Sequence, residues 1–255
     1  MKRANFLNYL KIFCRLLFSQ SAWNIERMQN IGFLWSVLPV LKKIYSSDED
    51  ALKKSILRNL SFFNTHPYFM GIFSGLLVHW EEKNYEVVQK SKISYGGPMA
   101  ALGTQMFWTT LRPLAGMAAI LLFFILGDKS GMPDLAAVPV VFLVFYNIVS
   151  LPVRFLFIVG AAEQGLDFFY VIKRLNPNKA IWYCQIAGVA MALAAVFFYY
   201  KNFIGHDMLM AHLFPSVVIL TAALHIFFKK VSGLKIFYAV LLLGVILGYM
   251  AGIKV

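Results

Sequence analysis

Beyond about residue 105 the chain is dominated by five apolar runs, each close to the roughly 20 residues that an α-helix needs to cross a hydrocarbon core of about 30 Å. They extend from Phe107 to Gly127, Leu135 to Val153, Ile181 to Tyr200, Met208 to Phe228 and Ile236 to Gly252. Composition agrees: 60% of the 255 residues are hydrophobic and 14% are charged, whereas soluble domains carry about 25% charged residues. The expected fold class is an all-α membrane protein, with about five transmembrane helices in the second half and shorter interfacial or re-entrant helices in the first.

Charge orients these spans. The chain has 24 Lys and Arg against 12 Asp and Glu, a net charge of +12. On a soluble protein that excess would raise nucleic-acid binding, but in a membrane protein positive residues collect in cytoplasmic loops and at phospholipid headgroups. Arg154, Lys173, Arg174 and Lys179 follow the second span, and Lys229, Lys230 and Lys235 follow the fourth. Those loops are expected on the cytoplasmic side, together with the amino-terminal half, which makes the chain a multi-pass protein with its carboxyl terminus on the opposite side. Cys14 and Cys184 each sit in apolar sequence, a pattern that fits neither a disulfide framework nor a metal site. His66, His79, His206, His212 and His225 form no metal-ligand spacing, and no cofactor is expected.

The first half is amphipathic and basic. Phe6, Leu10, Phe13 and Leu17 recur at helical spacing opposite Lys11 and Arg15, which predicts either a helix lying on anionic lipid or one packed against the rest of the protein. Ile31 to Leu41 and Tyr68 to Trp80 are apolar but too short to span. Ser47, followed by Asp48, Glu49 and Asp50, predicts a capped helix start with negative charge at the positive end of its dipole. That helix is expected to end near Asn64, before the breaker Thr65-His66-Pro67. Between the halves, Gly96-Gly97-Pro98 through Gly103 to Arg112-Pro113 sets small, polar and proline residues into apolar sequence. Such interruptions predict backbone that breaks and reverses, as in transporter binding sites. An ordinary loop entering a span is the alternative. The expected organisation is therefore an amphipathic region over 1–95, a re-entrant hairpin over 96–113 and a transmembrane region over 114–255.

Several stretches, in order along the chain, resemble the IID membrane component of the mannose, fructose and sorbose class of the bacterial phosphotransferase system. They are Ser21-Ala22-Trp23-Asn24-Ile25-Glu26-Arg27-Met28-Gln29, Phe62-Phe63-Asn64-Thr65-His66-Pro67, Glu81-Glu82, Gly97-Pro98-Met99-Ala100 through Phe107-Trp108, and Arg112-Pro113, with weaker echoes at Asn147, Arg154 and Gly165. The resemblance implies a subunit of the bacterial cytoplasmic membrane that pairs with a IIC subunit, several such pairs assembling together. It implies that a hexose-type sugar crosses through the complex while IIA and IIB proteins carry the phosphoryl group, and that this subunit is not itself phosphorylated. The chain departs from the family where Thr104-Gln105 replaces Asp-Pro after Gly103, and where His66 stands in place of a common Gln. A membrane interaction or regulatory protein that has lost sugar transport is therefore the rival expectation.

Sugar recognition needs amides or carboxylates for hydroxyls and an aromatic face for the apolar side of the ring. Asn64, Thr65, His66, Gln105 and Trp108 supply that chemistry, and Gly97, Pro98, Gly103, Arg112 and Pro113 are the expected hairpin residues. Each also has a plainer reading: Asn64 and Thr65 as a helix stop, His66 as a polar turn residue, and Trp108 as an interface anchor or core aromatic. Glu81 and Glu82 read as a solvated helix end, with a buried polar network as the alternative. Arg112 and Arg154 read as residues that snorkel or pair at the cytoplasmic interface, Arg112 also tying the hairpin in place.

Overall fold

The structure, a computed structural model, describes residues 5–126 and 137–203, together with the isolated helical positions 239 and 242. The fourth expected span, and the fifth apart from those two positions, lie outside the described residues. Among these residues the chain is helical, and its only strand-like pairings are the isolated bridges Asn24–Met28 and Met28–Phe63. The helices are α1 (Phe6–Leu16), α2 (Asn30–Ile44), α3 (Glu49–Asn59), α4 (Met70–Trp80), α5 (Tyr85–Gly103), α6 (Arg112–Leu126), α7 (Ala137–Gln164), α8 (Asp167–Arg174) and α9 (Pro177–Phe203). A π-helical segment, Thr104–Leu111, joins α5 to α6. Among the described residues two helices, Tyr85–Leu126 and Val138–Gln164, are long and apolar enough to cross a membrane.

The chain forms two compact units, one of residues 1–112 with 144–182 and the other of residues 113–143 with 183–255. This interleaving differs from the linear division expected at residues 95 and 113, because helices distant in sequence contribute to the same interior. In the first unit α4 is the central element, buried along its length from Met70 to Leu77. It is apolar on all sides, so it packs as a core helix instead of lying at an interface. Gly71 and Gly75, one turn apart, let α7 approach closely: a Cβ at Gly71 would come within 2.9 Å of the Arg154 carbonyl, and one at Gly75 would overlap the Ile158 carbonyl. Small residues in this spacing are how helices approach in apolar surroundings. α7 turns off at Gly165, whose φ of +61° is one that L residues rarely adopt.

α1 packs against the protein through Ile12 and Leu16, and the rings of Phe6 and Phe13 both meet Phe155 edge-on. Leu7, Leu10 and Leu17 remain exposed. α3 starts one residue later than expected: the Asp48 carboxylate, not Ser47, accepts from the Ala51 N–H at 2.8 Å. The helix also ends earlier, at Asn59. The residues from Leu60 to Phe69 become a connector whose backbone is held by side chains from elsewhere.

Glu81 corrects another expectation. Its side chain is fully buried, accepting from Ser55 Oγ and from Arg58 Nη2 at 2.9 Å, with the Tyr45 hydroxyl at 3.4 Å, whereas Glu82 is exposed. Arg58 also stacks on the Tyr85 ring. The buried network is thus the arrangement adopted by one of the two adjacent glutamates, and alternation around the helix end separates their fates. Lys92 is buried nearby, donating to Asn59 Oδ1 at 2.8 Å and facing the rings of Phe33 and Phe63. Such contacts stabilise a cation that would otherwise be costly to bury.

In the second unit α6 presents a buried stripe of Ala115, Ala118 and Ala119. Gly188 on α9 faces Leu114, with a Cβ there in ordinary contact at 3.7 Å.

Candidate functional site

The site is built where the connector after α3 lies along the helix that begins at Tyr85. Gln29 fixes the connector: its side-chain amide donates to the Thr65 carbonyl at 2.8 Å and accepts from the Thr65 N–H at 2.9 Å. The Gln29 N–H donates to the Phe63 carbonyl, and Asn30 and Arg27 donate to the Leu60 carbonyl. Met28, with a φ of +57°, makes the reversal that brings these groups round. Two sequence stretches separated by about thirty residues therefore meet at one place.

The glycines of the expected hairpin receive this connector. A Cβ on Gly96 would lie 3.0 Å from the Asn64 carbonyl, and a Cβ on Gly103 would overlap the Cβ and Cγ of His66. Two turns of helix separate these glycines, so they line one face. Their purpose is close approach, and the chain from Tyr85 to Leu126 runs through as one helix without reversing. The expected hairpin is corrected on this point. Pro98 is accommodated within α5, and the hydroxyls of Thr104 and Thr109 donate back to the carbonyls of Ala100 and Gln105, as polar side chains do where a membrane helix departs from regular geometry. What remains of the expected break is the π-helical turn itself, a feature frequent at functional sites.

His66 is the centre of the cluster. It is 2% exposed, stacks on Phe107 at 5.6 Å and 15°, and meets Tyr68 and Trp108 edge-on at 5.1 and 4.9 Å. The Tyr68 N–H donates to His66 Nδ1 at 3.3 Å. Burial, assisted by the charge of Arg154, pushes the imidazole down to about 4, so the ring is neutral at physiological pH. A neutral ring that accepts at Nδ1 carries its proton on Nε2. That Nε2 is buried without a hydrogen-bond partner among the described residues, as is the neighbouring Thr65 Oγ1. Unpaired buried groups of this kind cost about 1–3 kcal/mol each.

The other predicted residues lie at the margin. Trp108 is half exposed, with its ring against His66. Asn64 and Gln105 are exposed, as are Gly97, Pro98, Arg112 and Pro113. Thr65, His66, Trp108 and Gly103 are brought together, while Asn64 and Gln105 border the cluster through their neighbours in sequence. Arg154 departs from its expected place at a span edge. α7 continues past it to Gln164, and its guanidinium lies 3.5 Å from the centroid of the Tyr68 ring. Tyr68 in turn donates to the Tyr146 hydroxyl at 2.7 Å. Gln29, Tyr68 and Tyr146 were not among the expected site residues. The available signal for Tyr146 was a hydroxyl inside an apolar run, which membrane helices rarely carry without use.

A family profile described as "PTS system mannose/fructose/sorbose family IID component" matches residues 7–201. The "PTS system mannose-specific EIID component" of Escherichia coli (strain K12) is 30% identical over 163 residues, 61% of this chain and 55% of that protein. The "PTS system sorbose-specific EIID component" of Lacticaseibacillus casei is 30% identical over 63% of this chain and 55% of its own length. The "Fructose permease IID component" of Bacillus subtilis (strain 168) is 25% identical over 70% and 63%. The matched region thus spans about half the length of the first of these relatives. In three dimensions the chain is similar to one in the "CryoEM Structure of Mannose Transporter ManYZ and Microcin E492 (MceA) complex", with a TM-score of 0.57, 25% identity and coverage of 99% of this chain and 98% of that one. With the ordered motifs gathered around His66 and the profile covering most of the sequence, the chain belongs to the mannose/fructose/sorbose family of phosphotransferase-system IID components.

Proposed function

We propose that this protein is the IID-type membrane subunit of a sugar-translocating phosphotransferase permease in the bacterial cytoplasmic membrane. It crosses the membrane several times and forms the sugar pathway with a IIC partner, as one of several such pairs, while IIA and IIB proteins supply the phosphoryl group. The observation that carries this reading is the pair of unpartnered buried groups on consecutive residues, Thr65 Oγ1 and His66 Nε2. The His66 ring lies beside an aromatic ring, Trp108, that is itself half exposed. A hydroxyl-rich ligand with one apolar face satisfies both requirements. Asn64 and Gln105, both exposed, are assigned to further hydroxyls, and Gln105 does so as a neutral amide next to Thr104, the position where relatives are expected to place a carboxylate. The exposed Leu7, Leu10 and Lys11 edge of α1 is assigned to membrane lipid.

The test is binding and uptake of labelled mannose, fructose and sorbose by cells that express this chain with its IIC, IIA and IIB partners. Uptake of one of these sugars, reduced at least tenfold by Thr65→Val or Trp108→Ala in complexes that still assemble, is the expected result. An assembled wild-type complex that neither binds nor takes up any hexose would leave the chain as an interaction or regulatory protein of the IID fold.

A further inference from the structure

Arg154 lies on α7 within a helix long and apolar enough to span a membrane, and among the described residues no carboxylate pairs with it. Its Nε is buried without a hydrogen-bond partner. A charge held in this way is costly, and intramembrane ionisable residues are ordinarily retained for function. Its surroundings show what it contacts. The guanidinium covers one face of Tyr68 at 3.5 Å, a cation–π arrangement that gains strength when desolvated. Tyr68 is held at its hydroxyl by Tyr146 and through its backbone N–H by His66 Nδ1. Its ring edge meets Phe107 at 4.6 Å and His66 at 5.1 Å. Gly71 permits the approach, since any side chain there would crowd the Arg154 carbonyl.

The groups around His66 make Arg154 distinctive. From the helix that begins at Tyr85, His66 meets Gly103, Phe107 and Trp108, and from its own segment Tyr68 and Phe69. None of these is charged at neutral pH. Among the described residues the charge acting on the imidazole is that of Arg154. A cation at this position opposes a second cation on His66, and by holding Tyr68 it also keeps the N–H that occupies Nδ1 in place.

We propose that Arg154 is a positioning residue that keeps His66 in its Nε2-protonated form, by its charge and by its hold on Tyr68, so that this nitrogen serves as a hydrogen-bond donor in the sugar site. The assignment of a sugar to that site rests on the function proposed above, but the coupling of Arg154 to His66 is testable without any sugar.

The experiment uses the full chain assembled with its IIC partner in lipid nanodiscs and labelled with ¹⁵N-histidine. Imidazole shifts are followed from pH 7.5 to pH 4, and the His66 signals are assigned by their loss in His66→Gln. The wild-type ring is expected to stay neutral and Nε2-protonated to about pH 5. In Arg154→Gln the protonation midpoint rises by roughly half a unit or more, and the tautomers mix. Arg154→Lys, which keeps the charge and loses the planar stack, returns the midpoint toward wild type. A role confined to packing would alter stability in both variants and leave the midpoint where it was. An unchanged midpoint in Arg154→Gln, or a wild-type ring protonated at Nδ1, overturns the proposal. Should Arg154→Gln fail to assemble, Arg154→Met, which also removes the charge and keeps the length, is measured in its place, and an unchanged midpoint there overturns the proposal. Binding of labelled mannose, fructose and sorbose is measured on the same samples. If none binds the wild type while the histidine coupling persists, the sugar reading fails and the positioning role stands.

Discussion

Gly103 packs directly beneath His66, so closely that a Cβ at position 103 would overlap the Cβ and Cγ of the imidazole side chain. The contact explains why a glycine stands where the helix leaves α geometry, and it makes the two positions interdependent. Gly103→Ala is expected to destabilise the protein by about 1–3 kcal/mol through overpacking. The loss should shrink in the double variant with His66→Gly, because removing the whole side chain, Cβ included, vacates the overlapped space. Denaturation of the four species in detergent gives the coupling directly, and strictly additive effects would contradict the contact.

The Gln29 amide holds both polar groups of the Thr65 backbone. Gln29→Ala leaves a buried N–H and a buried carbonyl unpaired, at about 1–3 kcal/mol for each group. A total of about 2–6 kcal/mol is expected, with faster amide hydrogen exchange at Thr65. A loss below about 0.5 kcal/mol would mean that the connector is held by other contacts.

Adjacent glutamates separate sharply. Glu81 accepts bonds from Ser55, Arg58 and Tyr45 in a buried setting, whereas Glu82 is exposed. Glu81→Ala should cost about 3–5 kcal/mol by stranding its partners, with the lower end favoured because Arg58 retains access to water. Glu82→Ala should stay within about 0.5 kcal/mol. Thermal unfolding of the two variants in parallel distinguishes them, and equal midpoints would refute the buried network.

Acid sensitivity follows from His66, whose folded-state value near 4 lies below the ordinary 6.5. As pH falls from about 6.5, the unfolded chain takes up this proton before the folded one does. The contribution is therefore complete above about pH 6.5, is lost progressively toward pH 4, and changes little below that. The full loss amounts to roughly 3 kcal/mol. His66→Gln should flatten stability across this window relative to the wild type. A wild-type profile that is level between pH 6.5 and 4, or a slope that survives the substitution, would show that His66 is not the group responsible.

The sequence by itself determined the helical, lipid-compatible character of the chain, because runs of apolar residues as long as Phe107 to Gly127 or Leu135 to Val153 state their solvent through length and composition alone. It also determined the family, since motifs such as Asn64-Thr65-His66-Pro67 and Gly97-Pro98-Met99-Ala100 keep their order. Tertiary structure decided how those motifs are used. Gly and Pro signal departure from an ordinary helix, but whether the chain then reverses or admits a neighbour depends on what lies opposite. Here Asn64 and His66 lie opposite, and the helix continues. Burial was equally illegible: Glu81 and Glu82 are identical in chemistry, and only the positions of Ser55, Arg58 and Tyr45 select one of them. Arg154 marks the boundary most clearly. A basic residue at the end of an apolar run reads locally as a headgroup anchor, yet the folded chain brings the Tyr68 ring to its guanidinium from a segment more than eighty residues away, a long-range contact that spacing along one helix does not encode.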